Sequence, residues 1–146
     1  MYIMEISYRL AELQDLKHVI LINEQCFSEH YSLDEWRDTF RQSICLIAVN
    51  CNRIIGYCMA KLNVDGTVYI FSFAVLKDYR RRGVGKSMLE RVFGYVSGKN
   101  IFLHVRKSNI DAQSLYKKLG FEEKNFIHQF YGDEDGHEYW KKQTAV

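Results

Sequence analysis

The residues best placed by type and spacing to do chemistry together are Arg80-Arg81-Arg82-Gly83-Val84-Gly85-Lys86. Three cations precede a glycine-rich turn, and beyond it Val84, Met88, Val92 and Val96 recur at helical spacing with Leu89 and Phe93 beside them. The first N–H groups of a helix have no partner within it, and the helix dipole is positive at that end. With the arginines alongside, such a turn is an anion cradle suited to a pyrophosphate-bearing cofactor, although the same residues also read as a solvated basic turn. Two phosphate fingerprints fail here. The dinucleotide pattern G-x-G-x-x-G needs glycine where Met88 stands, and the triphosphate loop needs it where Arg80 stands, even though Gly85-Lys86-Ser87 fits that loop's end.

His104 is the second chemical candidate. In the β-prone run Ile101 to Arg106 it shares a face with Phe102 and Arg106, while Ile101, Leu103 and Val105 share the other. That parity lets His104 point into a cleft; a packed or solvated strand histidine would have the same parity.

The elements that must position these groups follow from periodicity. Ile3 to Leu10 is strand-like, and Leu13, Leu16, Ile20 and Asn23 then recur at helical spacing, with Phe27 just past the end. Ser32-Leu33-Asp34-Glu35 has the form of a capping box and opens a short helix through Trp36 and Phe40. Ile44 to Val49 and Ile54 to Lys61 form a hairpin across Asn50-Cys51-Asn52-Arg53. After the Asn63-to-Gly66 turn, Thr67 to Leu76 places Tyr69, Phe71, Phe73 and Val75 on one face and Val68, Ile70, Ser72 and Ala74 on the other. Both faces are largely apolar, so this strand is central. The glycine-started helix stops near Gly98, Ile101 to Arg106 is a strand, and Ala112, Leu115 and Leu119 mark a helix ending at Gly120. That succession implies parallel pairing through crossovers. Phe121 to Tyr131 and His137 to Trp140 close the chain as an antiparallel pair.

Composition narrows the function. The 146 residues fit one domain over 1–146, and 47% hydrophobic with 26% charged residues suits a globular chain. A net charge of +2, from 20 Lys+Arg against 18 Asp+Glu, gives no general field to hold a nucleic acid. Cys26, Cys45, Cys51 and Cys58 make no C-x-x-C pair and no zinc spacing with histidine, so they read as reduced apolar filler, with no metal site. Met1 to Glu5 carries no basic leader, and no run approaches the ~18 apolar residues of a membrane span, so the expected location is the cytoplasm.

Arg80-Arg81-Arg82-Gly83-Val84-Gly85 matches [QR]-x-x-G-x-[GA], and Asn109-Ile110-Asp111-Ala112-Gln113-Ser114-Leu115-Tyr116-Lys117-Lys118-Leu119-Gly120-Phe121 matches N-x-x-A-x-x-[LF]-Y-x-x-x-G-F. In both, the chain resembles the GNAT superfamily of acetyltransferases, over nearly its whole length. The resemblance implies an α/β (α+β) GNAT fold, a mixed sheet of about seven strands whose two central parallel strands splay apart, flanked by about four helices. It implies acetyl-CoA as cofactor, held by the strand backbone at Phe73, Ala74 and Val75 and by Arg80, Arg81, Arg82, Gly83, Val84, Gly85 and Lys86 at its pyrophosphate. Asn109 and Tyr116 would line the thiol end, with Tyr116 the general acid for the departing thiolate.

A narrower resemblance is to enzymes that acetylate protein N-termini. Tyr69-Ile70 and Ile101-Phe102-Leu103-His104-Val105 resemble the Y-I and I-[YF]-L-H-V segments of the NatE type, where tyrosine and histidine hold the water that deprotonates the amine. That implies catalytic roles for Tyr69 and His104. Bacterial enzymes that acetylate the N-terminal alanine of a ribosomal protein carry glutamate at the histidine position. Their hairpin reads Y-Y-x-x-x-x-G-H-E-D-A, whose spacing Phe130 to Glu138 follows, with Tyr139-Trp140 replacing the final D-A. Relatives of the NatA type have a comparable tyrosine-rich loop. Phe27, Tyr31 and Tyr131 would then bind the substrate peptide, and the resemblance extends to a ribosome-associated auxiliary subunit as a partner. The NatE type has F-P where this chain has Phe27-Ser28, which leaves the first substrate residue open. Two other readings stay open: the same fold acting on a polyamine, an aminoglycoside or a lysine side chain, and a non-catalytic subunit that binds acyl-CoA.

Overall fold

The computed structural model describes residues 5–143. It has one seven-stranded sheet in the order β1-β2-β3-β4-β5-β7-β6. The strands are β1 (Ile6–Leu10), β2 (Ile44–Asn50), β3 (Arg53–Leu62), β4 (Val68–Val75), β5 (Ile101–Arg106), β6 (Glu122–Ile127) and β7 (Gly136–Lys141). Four α-helices accompany them: α1 (Leu16–Cys26), α2 (Leu33–Arg41), α3 (Val84–Tyr95) and α4 (Ile110–Lys118). Ile3 and the rest of the Met1-to-Met4 segment lie outside the described residues, so the expected first strand is described from Ile6. The closing pair is shorter on its first strand than Phe121 to Tyr131 suggested. β7 inserts between β5 and β6, and β4 with β5 is the parallel pair in an otherwise antiparallel sheet.

Local chemistry explains the helix ends. Ser32 Oγ accepts the Glu35 N–H at 3.1 Å while Glu35 returns the bond to the Ser32 N–H, completing the expected capping box of α2. The hairpin between β2 and β3 turns on Cys51 and Asn52, both at positive φ, as a tight two-residue turn demands.

The sheet separates two layers. Gly56 of β3 packs near Met88 of α3, whereas its neighbour Tyr57 reaches Asn23 of α1, so these helices cover opposite faces. The fully buried Tyr57, Leu46, Ile47, Ile55, Met59, Met88, Leu89, Leu103 and Tyr139 fill the core between them.

Two irregularities shape the centre. Pairing of β3 with β4 runs Met59 to Ser72 and then Ala60 to Ile70, skipping Phe71. That extra residue is a β-bulge, and it overturns the simple alternation expected along Thr67 to Leu76. Tyr69 faces His104, but past the bulge it is Ser72 that bonds Tyr57 on the α1 side, while Phe73 meets Gly85 of α3. The second irregularity is a splay: β4 and β5 pair only at Val68–Ile101, Tyr69–Phe102 and Ile70–Leu103. Beyond Ile70 the two strands continue but no longer bond each other, so backbone groups face a gap.

Candidate active site

The cradle sits where β4 gives way to α3. Gly83 is the N-cap, with φ of 80°, and Arg81 is also left-handed, at 61°. Alternation into that region turns successive N–H groups toward one side, which makes an anion-binding concavity. The first bond of this helix runs from Ser87 N–H to Gly83 O, so the N–H groups of Val84, Gly85 and Lys86 have no acceptor within it. A Cβ on Gly83 would meet nothing within 4 Å, so its glycine serves the backbone angle and the open space above the turn. Gly85 has a different reason, because a Cβ there would lie 3.0 Å from Phe73 Cζ.

The arginines divide their work. Arg80 turns back on its own strand: its Nε donates to Val75 O at 2.9 Å, and its Nη2 lies 3.5 Å from Cys26 Sγ. Arg81 reaches Asp111 of α4 at 3.4 Å, and Arg82 stands over the Tyr79 ring. Lys86 pairs with Glu90 at 3.8 Å, a solvent-exposed contact worth little. Ala74 and Val84 are buried supports.

The second motif is a helix capped at both ends. Asn109 accepts the Ala112 N–H at 3.1 Å and starts α4. At the far end Gly120, with φ of 93°, donates to Lys117 O while Phe121 N–H donates to Tyr116 O. That is a Schellman cap, and its customary apolar contact is present between the Phe121 and Tyr116 rings, 5.7 Å apart. Tyr116 is thereby fixed from two directions, with Tyr139 on its other side. Burial pushes its hydroxyl well above the ordinary tyrosine range.

A cavity of about 490 Å³ opens between the splayed strands and the α1–α2 loop. Its walls include Phe27, Tyr31, Phe73, His104, Asn109, Tyr116 and Tyr131, which brings together expected residues from five segments of the chain. Tyr69 is not on the wall; it meets the cavity through His104, its hydroxyl 2.8 Å from His104 Nδ1. Its ring stacks on Phe102 at 4.6 Å, and Phe102 stacks in turn on Trp140. Burial first, and then the charge of Glu138, raise the Tyr69 hydroxyl above its ordinary value.

Two residues of the site did not stand out in the sequence. Glu138 lies directly across from His104 in the β5–β7 register, and its Oε2 is 3.0 Å from His104 Nε2. Burial alone would raise this carboxyl, but bonds from Trp140, Asn125 and His104 outweigh it and hold the value below the ordinary range. Arg106 is the other. It lies 3.0 Å from Asp133, 3.4 Å from Glu134 and 3.9 Å from Glu29, and it stacks over Tyr131 at 4.3 Å. It thus ties the β6–β7 loop to the α1–α2 loop across the cavity mouth. The only advance signal for Glu138 was the G-H-E stretch, which becomes informative once β7 is known to pair with β5.

Cys58 stands opposite Phe73 in the β3–β4 register, on the strand next to the gap. Burial raises its thiol far above the usual range, so it is no thiolate nucleophile. Cys51 lies in the hairpin turn.

Against known proteins, residues 9–121 match the acetyltransferase (GNAT) family. The chain belongs to that family. Among relatives of this GNAT acetyltransferase, the N-alpha-acetyltransferase of Sulfolobus acidocaldarius is 30% identical over 147 residues, covering 86% of this chain and 84% of the relative. That of Sulfurisphaera tokodaii is 29% identical, over 88% and 87%. The crystal structure of the ribosomal-protein-S18-alanine N-acetyltransferase from Escherichia coli superposes with a TM-score of 0.87 over 97% of this chain and 96% of that one, at 22% identity. Arabidopsis thaliana Naa50, in complex with the bisubstrate analogue CoA-Ac-MVNAL, superposes with a TM-score of 0.81 at 26% identity, over 94% and 98%.

The chain is therefore an N-acetyltransferase that uses acetyl-CoA. Its residues fit that cofactor. The unpartnered N–H groups of Val84, Gly85 and Lys86 suit a pyrophosphate, and the unpaired edges past Ile70 and Leu103 suit an amide-bearing arm. Among the described residues, no helix is long and apolar enough to cross a membrane.

Proposed function

We propose that this GNAT domain, spanning residues 1–146, acetylates the α-amine at the N-terminus of a protein by direct attack of that amine on the thioester. The reading rests above all on one observation: the Tyr69–His104 hydrogen bond lies where the parallel strands part, beside a cavity walled by Phe27, Tyr31 and Tyr131. Acetyl-CoA supplies an activated carbonyl when bound. The backbone of β4 at Phe73, Ala74 and Val75 orients its arm, with the N–H of Val75 remaining for this role because Arg80 occupies the carbonyl. The turn from Arg81 to Lys86 holds its pyrophosphate.

An α-amine with pKa about 8 is roughly one-tenth neutral at pH 7, so attack needs only modest help in losing a proton. Tyr69 and His104 take that proton. Tyr116, held protonated by its burial, donates to the sulfur as the carbon–sulfur bond breaks. Phe27, Tyr31 and Tyr131 grip the peptide, and Arg106 keeps the two loops that carry them together. A polyamine would look for free carboxylates at the mouth. Asp133 and Glu134 are committed to Arg106, Asp135 caps the Gln129 N–H, and of the two glutamates on the cavity wall Glu29 lies 3.9 Å from Arg106 while Glu35 accepts the Ser32 N–H, which favours a peptide amine.

The test is thiol release from acetyl-CoA with short peptides beginning Met, Ala, Ser or Thr, against the same peptides with blocked N-termini and against spermidine. Release should require a free peptide N-terminus. Release with spermidine and with none of the peptides overturns the reading.

A further inference from the structure

Glu138 makes four contacts that leave it little freedom. Trp140 Nε1 and Asn125 Nδ2 both donate to its Oε1, at 2.7 and 2.8 Å, and His104 Nε2 lies 3.0 Å from its Oε2. The fourth is the cross-strand packing of its backbone, with His104 opposite on β5 and Asn125 opposite on β6. Its side chain is 16% exposed and that of His104 is 11% exposed, so water competes poorly for either.

We propose that Glu138 is a positioning residue of the acetyl transfer, fixing His104 in the one tautomer that can accept a proton from Tyr69. A carboxylate accepts hydrogen bonds and donates none, so the hydrogen between them belongs to His104 Nε2. A neutral imidazole carries a single N–H, which makes Nδ1 the acceptor and Tyr69 O–H the donor in the 2.8 Å contact. Both ring nitrogens are then engaged, so a proton enters this pair through the Tyr69 oxygen. When the amine N–H bond breaks, a water between the cavity and the pair takes that proton and passes one of its own to the Tyr69 oxygen, while the former Tyr69 proton becomes N–H on His104 Nδ1. The imidazolium that results rests against the Glu138 carboxylate, with Phe130 at 4.4 Å and Phe102 at 6.0 Å enclosing the ring. The identity of the amine rests on the N-terminal reading, whereas the hold of Glu138 on His104 does not.

Glu138→Gln tests this sharply because the neighbours dictate its orientation. The indole N–H of Trp140 can only donate, so the amide oxygen must occupy the Oε1 position and the NH2 must face His104. That NH2 donates to Nε2 and drives the ring hydrogen to Nδ1, leaving Tyr69 without its acceptor. Nitrogen-15 NMR of the ring at a pH where it is neutral should report hydrogen on Nε2 in the unmodified chain and on Nδ1 in Glu138→Gln. The variant should lose about 10³-fold in kcat, the scale seen when a catalytic histidine is held in the wrong tautomer or general-base help is removed. The KM for acetyl-CoA should not move. Glu138→Ala, which leaves Nε2 to water and the tautomer unforced, should be less impaired than Glu138→Gln, an order that a packing role would reverse. Hydrogen on Nδ1 in the unmodified chain, or a Gln variant with unchanged tautomer and rate, overturns the proposal. The tautomer is read without substrate. A switch in Glu138→Gln together with no peptide acetylation by the unmodified chain would refute the N-terminal reading and leave the role of Glu138 standing.

Discussion

Tyr69→Phe removes one oxygen atom and separates catalysis from packing. The ring should keep its place, because its stack on Phe102, 4.6 Å away and 6° from parallel, does not involve the hydroxyl. The lost hydrogen bond to His104 contributes about 0.5–1.5 kcal/mol net, and a largely buried acceptor left unpaired adds a cost of similar size, so unfolding free energy should fall by about 1–2 kcal/mol. Catalysis should suffer more. A positioned proton acceptor contributes roughly 10²–10⁴-fold, or about 3–5 kcal/mol at 1.36 kcal/mol per decade. The expected outcome is a kcat lowered by at least about 10²-fold, with the KM for acetyl-CoA unchanged and a cooperative melt retained. The α-amine, with pKa about 8, becomes neutral in solution as pH rises, so the deficit of the variant should be largest near pH 7 and shrink toward about pH 9. Thiol release with a saturating peptide, alongside thermal unfolding, measures both quantities. A loss below about fivefold in a folded variant would mean that the proton leaves by a path not involving Tyr69.

Three further outcomes follow from other parts of the molecule. Gly83→Val places a β-branched residue at φ of 80°, costing about 1–2 kcal/mol in backbone strain although its Cβ has open space, so it should lower Tm and weaken coenzyme A binding in calorimetry as the N–H groups turn away. Unchanged binding would remove that turn from the site. Arg106→Gln releases Asp133, Glu134 and Glu29 together, and should raise the peptide KM by about tenfold while leaving the acetyl-CoA KM alone; an equal rise in both would contradict a role confined to the peptide loops. Asp15, whose carboxyl is held low by the bond from Arg9, contributes stability that is present above its unfolded value and is lost as pH falls through its lower folded value. Denaturant melts of Asp15→Asn should therefore show a flatter loss of stability than the unmodified chain as pH falls below about 4.

What was legible in the sequence was mostly local. Ser32 with Glu35, the helix opening at Gly83 and the helix end at Gly120 are features over a few residues, so residue type and spacing nearly determine them. The parity of β5 was legible too, because Ile101 to Arg106 is a regular strand. What escaped was register between distant segments. The skip at Phe71 arises from how β4 lies on β3, and nothing within Thr67 to Leu76 announces it. Glu138 escaped for the same reason: its value to His104 exists only because β7 enters between β5 and β6, while its neighbourhood in the chain suggested only a closing hairpin. Arg106 sits at the end of a strand whose parity was read correctly, yet its partners Glu29 and Glu134 come from loops about 77 and 28 residues away along the chain, distances over which spacing carries no signal.

The bulge also accounts for how one strand serves both halves of the reaction. A regular β4 would point Tyr69 and Phe73 to the same face, since they are four residues apart. The acceptor side and the cofactor helix would then compete for a single surface. With Phe71 inserted, Tyr69 faces His104 and the peptide side, whereas Phe73 packs on Gly85 at the first turn of α3. The skip comes immediately after Ile70, the last residue of β4 paired to β5, so the change of face and the opening of the gap occur at the same point along the strand. A substitution that straightened this segment would therefore disturb proton removal and cofactor orientation together, even where every named side chain was retained.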